Sequence, residues 1–471
     1  MSQPLRKLLG SQLVRNGRKV LLEELPPQTT VALYFADGSS ENWSNALENF
    51  HQEMVQANHF FQVVFIPLEK PAASNKTHPA LRECFFILEG EAARTKEEFL
   101  IRKYEVHHSS TVILIDCASG CVINFNGIHK ILDDPKGIDF PFKHRSYTQI
   151  LSSGLLITPN DKSNYSTSKT TEVSSDSHNF GLPGPTSVVG VTESTTTGSS
   201  ANTTAATTNL IPYSDQNKND FKGFFFGAYW CPPCRTFSGS LIEVYNNVRK
   251  QGKNFQVVFV SSDRSKESFE RFFSPMPWPA IPYEDEKRRQ ELTECFNVKA
   301  IPSLIIVDDQ TEKIITAEGR LEINEDLEAL DFPWYPKLVE ELKERHSPIL
   351  NSTLSIIYFL VGEDDNEFEH AEGILQPIAS QMVNSDMEEA FQPKFFIGTD
   401  IFKRSELSES LRLFFDLDEN FSSIVILDMP HLRYFTLAAS EVPNDHEMLS
   451  YIHKFRNSQL QYSQIIGQGP I

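Results

Sequence analysis

The chain contains the same short sequences twice, at a nearly constant spacing. Gln62–Ile66 (QVVFI) recurs 194 residues later at Gln256–Val260 (QVVFV). Two more matches follow in the same order, each at a spacing of 192: Thr111–Asp116 with Ser303–Asp308, and Asp139–Phe142 with Asp331–Trp334. A solenoid repeat is much shorter, at about 20–50 residues. The spacing therefore predicts two copies of a whole domain within the 471 residues.

A third, weaker copy follows the second. Ser355–Val361 is a short run rich in β-branched and aromatic residues, and Ser423–Asp428 is similar to Ser303–Asp308 at a spacing of 120. Between them, Glu369–Val383 has the apolar spacing of a helix, which Pro377 could bend or split. The sequence thus predicts three related domains in tandem.

The middle copy predicts an α/β fold. Strands are expected in the buried apolar runs and helices in the amphipathic runs between them. A strand–helix–strand unit followed by a hairpin predicts a mixed central sheet flanked by helices. The predicted strands are Phe224–Ala228, Phe255–Val260, Ser303–Val307 and Lys313–Thr316, and the predicted helices are Arg235–Lys250, Glu267–Phe273 and Pro336–Glu344.

A segment rich in serine and threonine separates the first two copies. Residues 161–210 contain 22 Ser or Thr among 50. This composition offers too little apolar surface to offset the entropy of ordering, so it predicts a disordered linker. The expected organisation is a first domain at 1–150, the linker at 151–214, a second domain at 215–345, a third at 346–458 and a tail at 459–471.

Charge and cysteine content exclude several classes of protein. The net charge is −20, which disfavours binding to nucleic acid or to an anionic membrane surface. The sequence has no apolar run near the ~20 residues of a membrane-spanning helix and no pattern typical of a secretory signal. Six cysteines are too few for a disulfide framework, so a reducing compartment, the cytoplasm, is expected.

The segment Trp230-Cys231-Pro232-Pro233-Cys234 lies between a predicted strand and a predicted helix. The N-terminus of a helix stabilises a thiolate, so Cys231 is the candidate nucleophile and Cys234 the thiol that resolves the mixed disulfide. Pro232 and Pro233 suit the first helical turn, where no N–H is needed. Trp230 is expected to provide an apolar flank for substrate, and Arg235 a positive charge near the thiolate.

Three other interpretations of the cysteine pair remain open. A structural disulfide is disfavoured by a reducing compartment. Half of a zinc site would need a second ligand pair, and no other Cys-x-x-Cys occurs in the sequence. The two thiols could also be inert and buried. A strand followed by a helix favours the redox interpretation.

Ile301–Pro302 directly precedes a predicted strand. We predict that this peptide bond is cis and that it lies against the cysteine pair, with free backbone groups for an extended substrate chain. The alternative is an ordinary trans proline at the start of a strand.

Together these features resemble the thioredoxin fold, and more closely the nucleoredoxin family and the tryparedoxins. The resemblance is strong over about 110 residues of the middle copy and looser at both ends. It implies that Cys231 and Cys234 are the redox pair and that Pro302 is the cis-proline. The sequences that carry the resemblance are Ala228–Arg235, Phe259–Ser265, Glu267–Phe269, Met276–Tyr283, Gly319–Arg320 and Phe332–Lys337.

Two departures from the thioredoxin pattern affect function. Phe225 stands where thioredoxin has a buried acid, so proton transfer by that acid is not expected. The first copy has no cysteine in the matching region 35–43, and the third copy has none at all. Ser110 and Ser422 occupy the positions of Pro302. Without a thiol nucleophile, both flanking copies are predicted to be inactive in dithiol exchange.

The sequence supports two functions. The first is a protein dithiol–disulfide oxidoreductase that reduces protein disulfides. It would use no bound cofactor, only a reversible Cys231–Cys234 disulfide, and would receive electrons from an external reductase or thiol, since the chain has no GxGxxG motif. The second is a redox-sensitive adaptor. The resemblance implies binding to a Dishevelled-type signalling protein and negative regulation of Wnt signalling, with the nucleus as a location in addition to the cytoplasm.

The other cysteines have simpler interpretations. Cys117 and Cys121 flank a short turn and could form a regulatory disulfide, although two incidental thiols are the simpler interpretation. Cys84 and Cys295 lie in apolar surroundings and are expected to be buried structural thiols.

Overall fold

A computed structural model describes residues 3–37, 41–68, 85–88, 93–106, 110–159, 209–213, 219–361, 365–399, 406–418, 420–442 and 444–465. Contacts divide the chain into two compact units. One unit is Ser146–Trp334, and the other combines Met1–Arg145 with Tyr335–Ile471. None of the helices within these ranges is both long enough and apolar enough to cross a membrane.

The N-terminal part forms a mixed sheet with strand order β2-β1-β5-β4-β3-β6-β7. Strand β3 (Thr30–Ala36), which lies between β4 and β6, is buried along its whole length because both faces of the sheet are covered. Its side chains alternate between two apolar cores, with Leu33 in one and Tyr34 in the other. The elements are α1 (Gln3–Leu9), β1 (Gln12–Arg15), β2 (Arg18–Leu21), β3 (Thr30–Ala36), α2 (Glu41–Gln56), β4 (Phe61–Pro67), β5 (Phe85–Ile87), α3 (Ala93–Lys103), β6 (Thr111–Asp116), β7 (Val122–Asn124) and α4 (Gly127–Asp133).

The middle unit has a four-stranded sheet with the order β11-β10-β12-β13. The side chains of β10 also alternate between two cores, with Phe225 on one face and Phe224 on the other. The elements are α5 (Tyr147–Ser152), β8 (Leu155–Thr158), β9 (Asn209–Pro212), β10 (Phe221–Gly227), α6 (Pro232–Lys250), β11 (Phe255–Ser261), α7 (Lys266–Phe273), α8 (Glu286–Cys295), β12 (Ser303–Asp308), β13 (Lys313–Thr316) and α9 (Gly319–Glu325).

The C-terminal part has a mixed sheet with the order β14-β16-β15-β17-β18-β19. Pro377 lies inside a helix that continues through it, so the predicted helix is not split. The elements are β14 (Val339–Glu341), α10 (Ser347–Leu350), β15 (Ser355–Phe359), α11 (Asp365–Asn384), β16 (Lys394–Gly398), α12 (Glu406–Phe414), β17 (Ser423–Asp428), β18 (Arg433–Ala438), α13 (Asp445–Arg456) and β19 (Ser463–Gln464).

All three sheets contain the same four-strand arrangement. A central strand (β3, β10 or β15) pairs in parallel with the strand that follows it across a helix, and antiparallel with the first strand of a hairpin. The predicted mixed sheets flanked by helices are therefore confirmed. The division into three tandem domains stays a prediction, since contacts group the first and last parts into one unit.

The first and last parts are joined within that unit by basic residues of α3. Lys96 pairs with Glu388 at 2.7 Å, and Lys103 pairs with Glu389. Lys7 of α1 also donates a hydrogen bond to the carbonyl oxygen of Val383 at 3.0 Å. The two parts thus meet through charged and polar contacts between residues that lie as far apart in the sequence as 286 positions for Lys103 and Glu389 and 376 for Lys7 and Val383.

Several predicted boundaries are wrong. The predicted linker 151–214 includes two strands, β8 and β9, which pair with each other. β8 exchanges hydrogen bonds with Ala280, which also bridges to β11. The linker's residues 160–208 and 214 lie outside the described residues.

Two further corrections concern the last part of the chain. The predicted helix Pro336–Glu344 contains β14, an edge strand that pairs in parallel with β16, so the third sheet begins before residue 346. The predicted tail 459–471 contains β19, which pairs with β18 and is followed by the buried Ile465. In both cases, hydrogen bonding to another strand of the sheet decides the secondary structure of the segment, and its local sequence preference does not.

The N-terminal boundary of the middle unit, at Ser146, predicts which shortened fragments of the chain remain stable. Tyr147, Ile150, Leu151 and Leu156 lie in the same core as Phe224. We expect fragment 146–334 to unfold cooperatively, and fragment 215–334 to be less stable by more than about 4 kcal/mol, because each buried apolar side chain contributes roughly 2–5 kcal/mol. Urea unfolding followed by circular dichroism measures the difference. Equal stability of the two fragments would contradict the packing described here.

The loop after α9 is organised by one carboxylate. Asp326 accepts hydrogen bonds from the backbone N–H groups of Leu330 and Asp331 and from the Trp334 indole, at 2.9–3.0 Å. The loop after α4, 192 residues earlier in the sequence, is also organised by an aspartate that accepts a hydrogen bond from a backbone N–H five residues later. Asp134 accepts from the N–H of Asp139 at 2.9 Å. This agreement supports the interpretation of the two segments as copies.

Asp326 is also expected to make the stability of the middle unit sensitive to acid. Burial opposes the charged form, but the hydrogen bonds from Trp334 and the loop N–H groups outweigh it and lower the pKa of Asp326. Its contribution is therefore present at neutral pH and lost as the pH falls below about 4, through the lower folded pKa. We expect Asp326→Ala to cost about 2 kcal/mol at pH 7 and less at pH 3. Urea unfolding at both pH values tests this, and an equal cost at both would contradict it.

Candidate active site

The candidate site lies at the carboxyl end of β10, where the chain enters α6. Cys231 is the N-cap of the helix, and its sulfur accepts a hydrogen bond from the N–H of Cys234 at 3.4 Å. Pro232 and Pro233 occupy the first two helical positions, where their missing N–H groups cost nothing. The local sequence thus ends the strand and starts a helix of 19 residues with Cys231 at its positive end.

Cys231 and Cys234 form a disulfide in this structure, with their Cα atoms 5.3 Å apart. Cys231 is 6% exposed and Cys234 is completely buried. Phe225, which replaces the buried acid of thioredoxin, belongs to the same apolar core as both cysteines. Cys231 is therefore the more accessible of the two cysteines, as the division of roles requires.

Ile301 and Pro302 meet the cysteine pair because β12 runs antiparallel to β10. The end of β10 is opposite the start of β12, where Phe226 faces Ser303. The Ile301–Pro302 peptide bond is cis, as predicted. The carbonyl oxygen of Ile301 lies 3.9 Å from the sulfur of Cys231. Residues 70 positions apart in the sequence thus form one site.

The remaining predicted residues lie on the surface around the disulfide. Trp230 is 49% exposed, and its indole N–H donates to the carbonyl oxygen of Ser262 at 3.2 Å. Arg235 is exposed and donates to the carbonyl oxygen of Tyr229 at 2.6 Å. Pro232 and Pro233 are also exposed. Trp230 thus offers a fixed apolar surface next to Cys231.

Sequence reasoning assigned no role to Asp263, which supports the segment before the cysteines. Its carboxylate accepts from the N–H of Tyr229 at 2.8 Å and from the Ser261 hydroxyl at 2.9 Å. Burial raises the pKa of Asp263 despite these hydrogen bonds and the charge of Arg289. The sequence did contain a signal for this contact. A polar segment that includes Asp263 directly follows β11, and the parallel strands β10 and β11 end at the same edge of the sheet, which places Asp263 near the residues that follow β10.

The other cysteines that the structure describes are not part of this site. Cys117 is buried, Cys121 is exposed, and no disulfide joins the two. Burial raises the pKa of Cys295 to about 11, which disfavours the reactive thiolate. Cys84 lies outside the described residues. In the part of the chain that the structure describes, no cluster of His, Cys, Asp and Glu could hold a metal ion.

The third sheet has a serine at the position that corresponds to Pro302. Ser422 precedes β17 as Pro302 precedes β12, and its hydroxyl accepts from the N–H of Val361 at 3.1 Å. The same hydroxyl donates to Glu367 at 3.3 Å. The groups around Ser422 can therefore form hydrogen bonds, but the third copy has no cysteine that could take part in dithiol exchange.

Comparison with known proteins identifies the family. A profile described as thioredoxin-like matches residues 200–313. Nucleoredoxin from Danio rerio is 30% identical over 440 residues, which cover 91% of this chain and 92% of that protein. Nucleoredoxin from Homo sapiens is 33% identical over 346 residues, covering 73% of this chain and 67% of that protein. The chain belongs to the nucleoredoxin family.

These two nucleoredoxins match 91% and 73% of the chain, whereas two similar tryparedoxin structures match 26–27% of it. Native tryparedoxin I from Crithidia fasciculata is 38% identical and covers 26% of this chain and 83% of its own, with a TM-score of 0.25. A tryparedoxin II complexed with glutathionylspermidine is also 38% identical, with 27% and 88% coverage and a TM-score of 0.26.

Proposed function

We propose that this chain is a protein dithiol–disulfide oxidoreductase that reduces protein disulfides through Cys231 and Cys234. The observation that carries the proposal is the Cys231–Cys234 disulfide at the N-terminus of α6, beside the cis Ile301–Pro302 bond. Membership of the nucleoredoxin family agrees with it.

The reaction follows from the exposure of the two sulfurs. In the reduced protein, the thiolate of Cys231 attacks one sulfur of the substrate disulfide, whose other sulfur leaves as a thiolate. The thiolate of Cys234 then attacks Cys231, which releases the second substrate thiol and closes the Cys231–Cys234 disulfide. Two electrons pass to the substrate, and an external reductase or thiol must return them. A reducing compartment, the cytoplasm or nucleus, fits this cycle.

The neighbouring groups would position the substrate. The backbone of Ile301, whose carbonyl oxygen lies beside the Cys231 sulfur, is suited to pair with an extended substrate segment. Trp230 would contact apolar side chains of the same segment, because nearly half of its surface is exposed.

Insulin reduction tests the proposal. The purified full chain should accelerate the reduction of insulin disulfides by dithiothreitol well above the rate with dithiothreitol alone. A folded protein that gives no acceleration would contradict the proposed activity.

A second candidate is a redox-sensitive adaptor that binds a signalling protein of the Dishevelled type with little turnover. The observation that favours it is the third sheet, whose position for the cis-proline is taken by Ser422 and which has no cysteine. The double variant Cys231→Ser/Cys234→Ser distinguishes the two functions. An adaptor would still bind its partner, whereas an enzyme would lose its effect.

A further inference from the structure

Three arginines surround the two aromatic residues that precede Cys231. The guanidinium of Arg264 lies 5.2 Å from the centre of the Trp230 ring. Arg271 and Arg235 lie 4.8 Å and 5.4 Å from the centre of the Tyr229 ring. All three arginines are exposed, and they come from three places: the loop after β11, α7 and α6. The fold therefore gathers them around the two residues that directly precede the nucleophile.

None of the three arginines forms an ion pair with a carboxylate of the described residues. Other basic side chains of the unit do: Lys266 pairs with Glu284 at 2.6 Å, and Lys222 pairs with Asp309 at 2.8 Å. The arrangement is notable in a chain whose net charge is −20. Stacking on the aromatic rings leaves the edges of a guanidinium group able to donate hydrogen bonds to an incoming ligand.

The carboxylate that lies behind Tyr229 is engaged in hydrogen bonds within the protein. Asp263 is buried and accepts hydrogen bonds from Tyr229 and Ser261. On α7, the carboxylates of Glu267 and Glu270 are exposed on the same helix as Arg271. The charged groups that lie directly over the rings of Trp230 and Tyr229 are the three guanidinium groups, and they are positive.

We infer that this arginine cluster (Arg235, Arg264 and Arg271) selects substrate disulfides that are flanked by carboxylates in an acidic protein segment. The inference rests on the proposed oxidoreductase function and specifies its substrate class. Arg264 and Arg271 are the specificity residues, since among the described residues their contacts are with the aromatic rings. Arg235 also holds the backbone of Tyr229 and so has a structural contact. Complementary charge raises the rate of encounter, by roughly 10-fold or more at low salt.

Three peptides of equal length test the inference, each with one intramolecular disulfide flanked by two Glu, two Gln or two Lys residues on either side. The pre-reduced full chain is mixed with each peptide, and the second-order rate of peptide reduction is measured. Each rate constant is divided by that of dithiothreitol with the same peptide, which removes the intrinsic reactivity of the disulfide. We expect the Glu peptide to be about 10-fold faster than the Gln peptide at low salt, and this ratio to fall as ionic strength rises.

The double variant Arg264→Gln/Arg271→Gln should reduce the Glu-to-Gln ratio to below about twofold. Arg249→Gln is the matched control, because Arg249 is an exposed arginine beside a tyrosine near the other end of α6, 5.5 Å from the centre of the Tyr245 ring, and it donates a hydrogen bond to the hydroxyl of that tyrosine at 2.8 Å. It should keep the full ratio. A ratio that the double variant leaves unchanged would show that the contacts with the rings are only structural, and would overturn the inference.

Two results separate this inference from the proposed function. If the parent reduces all three peptides equally, the oxidoreductase function stands and the inference fails. If the folded parent reduces none of them, the proposed function fails, and the inference with it. Glutathione also carries carboxylates, so oxidised glutathione is tested in parallel. A preference for it that depends on the arginines and is absent from the peptides would overturn the assignment to a protein segment.

Discussion

Replacing Cys231 with serine is expected to lower the insulin reductase activity of the full chain by at least about 1,000-fold. A serine hydroxyl stays protonated at neutral pH and is a far weaker nucleophile than a thiolate, so the first attack on the substrate disulfide is lost. Cys234 cannot take over this role because it is completely buried. Activity is measured as the rate of insulin reduction with dithiothreitol, after subtraction of the rate without protein.

Cys234→Ser should fail at a different step. Cys231 remains able to attack, but no second thiol is present to release the substrate, so a mixed disulfide at Cys231 should accumulate. Mass spectrometry of the protein after incubation with a disulfide peptide detects this adduct. Cys121→Ser is the matched control, since Cys121 is an exposed free thiol outside the site. An adduct on Cys234 in the Cys231→Ser variant would reverse the assigned roles.

The second large effect is a loss of stability, expected when the buried ion pair between Lys222 of β10 and Asp309, directly after β12, is broken. The Lys222 ammonium donates to both carboxylate oxygens of Asp309 at 2.8 Å, and these side chains are 2% and 0% exposed. Lys222→Met would leave the Asp309 charge buried without its cation, and we expect a loss of about 3–5 kcal/mol in the free energy of unfolding. Urea unfolding of fragment 146–334, followed by circular dichroism, measures this loss.

The double variant Lys222→Met/Asp309→Leu should recover much of the lost stability, because it removes both charges and leaves an apolar pair of similar size. The hydroxyl of Tyr147 and the N–H of Asn219 would then lose their acceptor, so recovery should be incomplete. Lys250→Met is the control, since Lys250 is exposed, and it should change stability by less than about 0.5 kcal/mol. A loss in the double variant as large as in Lys222→Met would contradict the explanation.

Much of the active site could be predicted because it depends on local chemistry. Two prolines after Cys231 start a helix, and an apolar run before it forms a buried strand, so the position of the cysteine pair follows from neighbouring residues. The cis Ile301–Pro302 bond was predicted too, but a trans proline is equally allowed at the start of a strand, so the structure was needed to decide between them.

Other parts of the unit could not be predicted because their partners are far away in the sequence. Tyr147 donates to Asp309 across 162 residues. Arg288 donates to the carbonyl oxygen of Leu151 across 137 residues. These contacts attach α5 and β8 to the middle unit, whereas composition suggested that a linker begins at residue 151. No local pattern in Tyr147–Thr158 indicates which core it joins.

The sequence by itself determined the repeat, the mixed α/β class, and the strand–Cys231–helix element that holds the redox pair, because each follows from periodicity, turn residues and helix capping within a few residues. Only the tertiary structure decided the limits of the units, the burial of Lys222 with Asp309, the support of Tyr229 by Asp263, and the gathering of Arg235, Arg264 and Arg271 around Tyr229 and Trp230. Each of these depends on which strands and helices become neighbours. Which elements become neighbours depends on how whole apolar faces pack together, and this cannot be predicted from a short segment of sequence.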